Sequence, residues 1–109
     1  MNVLTEKSRE VLVEAALRGH PQIKGQLHTD KGDCALGVLH RHYHRQMGTE
    51  IDMGWCSQSI NELVNAKYLI QLSGQVPCVM CGDRIMTNHP VAHYNDVHEW
   101  DFLTISRKL

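Results

Sequence analysis

Two cysteines and two histidines constrain this chain more than any other feature. Pro77-Cys78-Val79-Met80-Cys81-Gly82 precedes His93 and His98, giving C-x2-C-x11-H-x4-H. Two thiolates and two imidazoles at this spacing match the ligand set of a tetrahedral structural zinc site. A C-x-x-C turn points both sulfurs into one small volume, and Gly82 permits the positive φ that such a turn often needs. Zinc suits this set better than iron or magnesium because thiolate and imidazole are soft or borderline ligands. His89 is an alternative ligand, since His89-x3-His93 is also acceptable spacing. Its place before Pro90 makes it a loop or cap residue and ranks it below His98. Asp96 lies between the two distal histidines, where it can accept from an imidazole as an outer-shell partner. A solvent-facing Asn95-Asp96 pair is the plainer alternative.

At 109 residues the chain has the length of a single domain, 1–109, with the zinc-binding element at about 76–100. A domain of this size buries roughly 65% of its unfolded surface, so its stability is marginal and a metal clip helps. The formal net charge is −1 with histidines neutral, which argues against a binder driven mainly by backbone phosphates. No apolar run approaches the roughly 18 residues of a membrane span. The opening Met1-Asn2-Val3-Leu4-Thr5-Glu6 shows no secretion signal. The cysteines are therefore expected reduced in a cytoplasm, with Cys34 and Cys56 as small buried apolar residues.

Hydrophobic spacing predicts a helix over 3–18, with Leu4, Val11, Leu12, Ala15 and Ala16 inward, capped by Thr5 or Ser8 and stopped by Gly19 and Pro21. Asp30-Lys31-Gly32-Asp33 is a turn signal. A second helix over 34–47 is expected to bury Cys34, Leu36, Val38 or Leu39, Tyr43 and Met47. Ser59-Ile60-Asn61-Glu62 has a capping-box pattern opening a short helix. Residues 68–72 then read as a strand that pairs across Ser73-Gly74 with 75–79, the hairpin ending in the C-x-x-C. Pro90 starts a helix through Glu99, and Asp101 caps a last helix with Phe102, Ile105 and Leu109 inward. The fold class that follows is α+β: a small, mainly helical domain with one short β-hairpin carrying a zinc knuckle.

Other chemistries fit less well. Pro77-Cys78-Val79-Met80-Cys81 matches half of the zinc deaminase signature, but the required upstream His-x-Glu is missing. Asn88, His89, His93 and Asn95 evoke a ββα-metal nuclease, yet four protein ligands close the open position that hydrolysis needs. A thioredoxin-like role lacks the surrounding βαβ pattern. His40 and His44, at i and i+4, have the geometry for a second metal, without an acidic or cysteine partner nearby in sequence; a solvated polar face is the plainer reading. With Arg41 and Arg45 they make the most basic local surface. His40, Arg41, His44, Arg45 and an exposed Trp100 are therefore candidates for a partner surface, although Trp55 and Trp100 also read as core.

Two blocks carry a resemblance. Ala16-Leu17-Arg18-Gly19 through Gly25-Gln26-Leu27, then Asp33-Cys34-Ala35-Leu36-Gly37-Val38-Leu39, resembles the "ALRSG…G.L…CCLGVL" block of short uncharacterised phage and mobile-element proteins. Tyr94-Asn95-Asp96 and Phe102-Leu103-Thr104-Ile105-Ser106 look like that group's C-terminal "LND…sF.eIA" block. His93, Asn95, Asp96, His98 and Trp100 are similar to an "H.ND.H.W" variant that follows C-x-x-C-G. Ala35 replaces a second cysteine, and the middle from Gly48 to Gln75 is unmatched. The group has no assigned activity, so the resemblance supplies no catalytic residues. It implies a phage or mobile-element protein working in a bacterial host cytoplasm. The expectation is a non-enzymatic accessory protein with a structural zinc. It binds a host or phage macromolecule stoichiometrically, a defence or transcription complex being the concrete case. A zinc-finger-like regulator that binds nucleic acid is the alternative; a metal-dependent nuclease or deaminase ranks last.

Overall fold

Residues 5 and 8 set the start of the first helix. Thr5 is extended, and its Oγ1 accepts from the Ser8 backbone N–H at 3.1 Å, satisfying one of the amides that a helix start leaves open. Helix α1 then runs Glu6–Leu17 in a computed structural model that describes residues 3–24, 28–49, 76–77, 86–87 and 90–109. Leu12 and Ala15 are fully buried, while Leu17 is 80% exposed, so the apolar stripe is narrow.

The Asp30-Lys31 turn joins β1, His28–Thr29, to β2, Gly32–Asp33, in antiparallel register, with His28 opposite Asp33. Residues 21–23 run beside β2. Asp33 N–H donates to Pro21 O at 3.1 Å, and Ile23 N–H donates to Asp33 O at 3.1 Å. Glycine is needed at position 32, because a Cβ there would collide with the backbone oxygen of Pro21.

Helix α2 spans Ala35–Met47. Its N-cap is Cys34, whose Sγ accepts from Gly37 N–H at 3.3 Å. Its first six residues, Ala35 to His40, are all buried. It ends at Gly48, whose φ of 69° lies in the left-handed region and lets Thr49 N–H return to His44 O at 3.0 Å. The expected inward Met47 is instead 62% exposed, because the buried face ends a turn earlier.

A second ladder pairs β3, Val76–Pro77, antiparallel with β4, Met86–Thr87. Residues 76–77, the described part of the expected second strand, thus pair with 86–87 downstream. Residues 68–72 and the helix expected after Ser59 lie outside the described residues.

Helix α3 covers Pro90–Asp96, starting at the expected proline but ending three residues early. Glu99 has a φ of 56°, and Trp100 N–H turns back to Tyr94 O at 3.1 Å. That reversal stacks Trp100 on Tyr94, rings 4.2 Å apart and 13° from parallel. Helix α4, Phe102–Lys108, is capped by Asp101, which accepts from Thr104 N–H at 2.8 Å. Phe102, Ile105 and Leu109 are buried, as their spacing predicts.

The described fold is thus mainly helical, with two short antiparallel ladders. Helix α4 lies along α1, and α2 contacts both α1 and α3. Leu4, Leu12, Leu36, Leu39, Tyr94 and Ile105 are almost wholly buried in this core, with Phe102 beside them. The chain ends meet where Val3 and Leu4 N–H donate to Leu109 O at 2.7 and 3.1 Å. No helix of the described residues is long and apolar enough to cross a membrane.

Asn95, buried at 1% exposure, ties these pieces together. Its Oδ1 accepts from Ala35 N–H at 2.9 Å and from Gln22 Nε2 at 2.6 Å. Its Nδ2 donates to Ile23 O and to Asp96 Oδ1, each at 2.8 Å. Asn95→Ala takes the acceptor from the buried Ala35 N–H and is expected to cost about 2–4 kcal/mol. Urea denaturation would register this as a lower midpoint at unchanged slope; a loss under about 0.5 kcal/mol would contradict the role given to Asn95.

Candidate functional site

Burying a carboxylate without partners is costly, and Asp33, with a side chain 2% exposed, is fully supplied with them. Oδ1 accepts from His28 Nδ1 at 2.6 Å and from Arg41 Nη2 at 3.0 Å. Oδ2 accepts from His20 Nε2 at 2.6 Å and from Arg41 Nε at 3.1 Å. A carboxylate offers about four lone-pair sites, and all four are used. Burial pushes the Asp33 carboxyl upward, but hydrogen bonds from His28, Arg41 and His20 outweigh it and hold the group well below the usual carboxylate range. Asp33 is an anion at every physiological pH.

The hairpin register and α2 set this geometry. Pairing across the Asp30-Lys31 turn puts His28 opposite Asp33, and two turns of α2 carry Arg41 back over it. Since an ionised carboxylate only accepts, His28 donates through Nδ1. In its neutral form, Nε2 then accepts from His40 Nδ1 at 2.9 Å. His40 is 1% exposed, and its ring lies 5.2 Å from that of His28 and 4.4 Å from that of His44. The expectation of His40 on a partner surface is therefore corrected. It faces inward because the buried face of α2 extends through position 40.

Arg41 and His44 are half-buried and Arg45 is exposed, so the surface offered by α2 lies on the Arg41 and Arg45 side. Trp100 is half-buried against Tyr94, not an exposed anchor. Cys34 is fully buried as expected, and burial pushes its thiol up to about 12, so it stays protonated and inert.

Of the zinc candidates, His93 and His98 are described. Both are half-buried, with ring centroids 5.0 Å apart and planes at 72°. Cys78, Cys81 and His89 lie outside the described residues. Among the described residues no group of three or more His, Cys, Asp or Glu is arranged to hold a metal. Asp96 accepts from Asn95 Nδ2, its neighbour in α3.

The second surface feature is a groove between α1 and α2, with a cavity of about 30 Å³ at its floor. Val11, Glu14 and Arg18 line it from α1; Val38, Arg41, His42 and Arg45 line it from α2; Asp33 and His20 complete the lining. Burial, with Lys7 and Arg45 nearby, lowers His42 below the ordinary imidazole value. Arg18 meets Glu14 at 3.5 Å on the exposed side.

Sequence reading missed the Asp33 cluster. Its one usable signal was the turn Asp30-Lys31, which in a two-residue hairpin makes positions 28 and 33 cross-strand partners. Comparison of the chain with protein-family models, with curated proteins and with solved structures gave no match.

Two outcomes test the cluster. Since the folded Asp33 carboxyl lies below its unfolded value of about 3.9, its contribution is complete above that pH and is lost as pH falls through the folded value. Stability is expected to fall below about pH 4, more steeply in the native chain than in Asp33→Asn, which at neutral pH loses about 3–5 kcal/mol. Equal acid limbs in the two proteins would count against an ionised Asp33. For Cys34, peptide mapping after brief treatment of native protein with a thiol reagent should find it unlabelled until denaturant is added.

Proposed function

We propose that the chain is a small zinc-closed accessory protein that binds a macromolecule of a phage or its bacterial host stoichiometrically and turns over no substrate. The observation that carries this reading is the His93–His98 pair. Two imidazoles bound to one tetrahedral zinc, with Zn–N near 2.0–2.1 Å, have ring centroids about 5 Å apart, and these rings stand 5.0 Å apart. The sequence spacing supports it further, since Cys78 and Cys81 form a C-x2-C pair with eleven residues between Cys81 and His93. Four protein donors fill a tetrahedral ion and leave it no position for substrate.

An enzymatic reading would draw on the Asp33–His28 pair, which has the orientation of a carboxylate and a general base. The His28 side chain is 0% exposed, and its remaining nitrogen is engaged by His40. No substrate atom reaches it. The resemblance to short phage and mobile-element proteins adds a setting, a bacterial cytoplasm, in which a defence or transcription complex is a fitting partner. His89 remains the substitute ligand should His98 not bind.

Elemental analysis of protein purified without added metal is expected to give one zinc per chain. Chelation, or His93→Ala, should lower the melting temperature by more than about 10 °C, because zinc binding contributes directly to folding free energy. Metal-free protein that melts identically with and without chelator would falsify the reading. Affinity capture from bacterial lysate is expected to recover one partner at a fixed ratio.

A further inference from the structure

We propose that the groove between α1 and α2 is a binding site for a terminal phosphate monoester, carried by a nucleotide or by the 5′ end of a nucleic-acid strand. The site goes beyond the zinc-closed binding function and does not depend on it. Facing helical stripes build it: Val11, Glu14 and Arg18 recur at helical spacing on α1, and Val38, Arg41, His42 and Arg45 do so on α2. Arg18, Arg41 and Arg45 are cations at neutral pH. Against them stand Glu14 and the buried Asp33, leaving a local excess of one positive charge in a chain whose net charge is −1.

Arg41 is the organising group. Its Nε and Nη2 are fixed by the two oxygens of Asp33, while its side chain remains 36% exposed. Among the described residues Nη1 meets no acceptor, and guanidinium geometry directs its two N–H groups away from the edge bound to Asp33. A planar donor held in this way matches phosphate oxygens without prior ordering. Arg45, one turn further along α2, and Arg18 on the opposite wall are exposed and within the same groove. His42 adds an imidazole on the same face of α2, where Lys7 and Arg45 act on it.

The size of the groove selects the ligand. Its cavity is small, about 30 Å³, with room for one or two phosphate oxygens, so the edge of an oxyanion enters while the rest of the ligand lies outside. A dianionic terminal phosphate offers two charges and three oxygens to this cluster. A phosphodiester offers one charge per residue of strand and gains less from a single pocket. Glu14 limits affinity, since its carboxylate stands 3.5 Å from Arg18 and competes with the ligand.

The test is fluorescence anisotropy and calorimetry at low salt on the full-length, metal-replete chain. The probes are adenosine monophosphate and a short single-stranded oligonucleotide bearing either a 5′-phosphate or a 5′-hydroxyl. The monophosphate, the 5′-phosphorylated strand, or both should bind, and the 5′-hydroxyl strand at least about tenfold more weakly, the discrimination expected from charge-assisted bonds to the added phosphate. Tighter binding of the phosphorylated strand than of the monophosphate identifies a nucleic-acid end as the source; equal binding identifies a free nucleotide. Arg45→Ala and Arg18→Ala, both at exposed positions, should each weaken binding severalfold with circular dichroism unchanged, and Glu14→Gln should tighten it. Failure of both phosphate-bearing probes to bind, equal affinity for the two 5′ ends where the strands bind, or indifference to Arg45→Ala and Arg18→Ala overturns the proposal. Because the readout is phosphate binding, it is separate from zinc content and from capture of a protein partner.

Discussion

The fold turns on one ionised carboxylate with no spare lone pair. Asp33 joins three parts of the chain that are distant in sequence: residues 20–23 through its backbone and His20, the hairpin through His28, and α2 through Arg41. Each contact would be weak or costly alone, because a buried charge loses several kcal/mol of hydration. Together they return that cost only when all four donors arrive. The cluster therefore acts as an all-or-none condition on the geometry of this corner. Gly32 belongs to the same constraint, since the approach of Pro21 O that positions Asp33 leaves no room for a side chain beside it.

The helices were legible from sequence because their signals are local. Thr5 and Asp101 are side-chain caps three residues from the amides they bind, and Phe102, Ile105 and Leu109 recur at helical spacing. Elements set by distant contacts were not. Met47 fits the apolar pattern of α2 but lies beyond the stretch of the helix that is buried, Ala35 to His40. Helix α3 stops at Asp96 although the pattern allows Glu99; the chain instead turns back through Glu99 and stacks Trp100 on Tyr94, a contact distant from any local helix signal. The histidines were read in sequence order, which hid that His20, His28 and His40 converge within one network.

The sequence blocks around residues 33–39 and 94–106 also meet in space. Asn95 accepts from the first amide of α2, and Gln22 links the same oxygen to the Trp100 carbonyl. Tyr94, Leu36 and Leu39 lie in the same core. Residues of these blocks thus have structural tasks: a buried asparagine that joins α3 to α2 and to residues 22–23, a small buried residue at position 35 and a capping residue at position 34. Motifs of this kind report how a chain packs. They say little about what it binds, which is decided by side chains on the outer faces of the same helices.

Arg41 is where the two levels join. Its inner edge satisfies Asp33 and its outer edge faces the α1–α2 groove. A free arginine gives up about 2 kcal/mol of rotamer entropy when it is held to one geometry. Here folding has already supplied that ordering, so a ligand meeting the outer edge gains its hydrogen bonds without the loss. The charge balance works in the same direction. Asp33 fixes the guanidinium and cancels part of its field, leaving selectivity to the exposed Arg18 and Arg45 and opposition to Glu14. A corner built to bury one carboxylate thereby fixes in place a donor for a second anion, at a surface whose affinity is set by residues the core does not need.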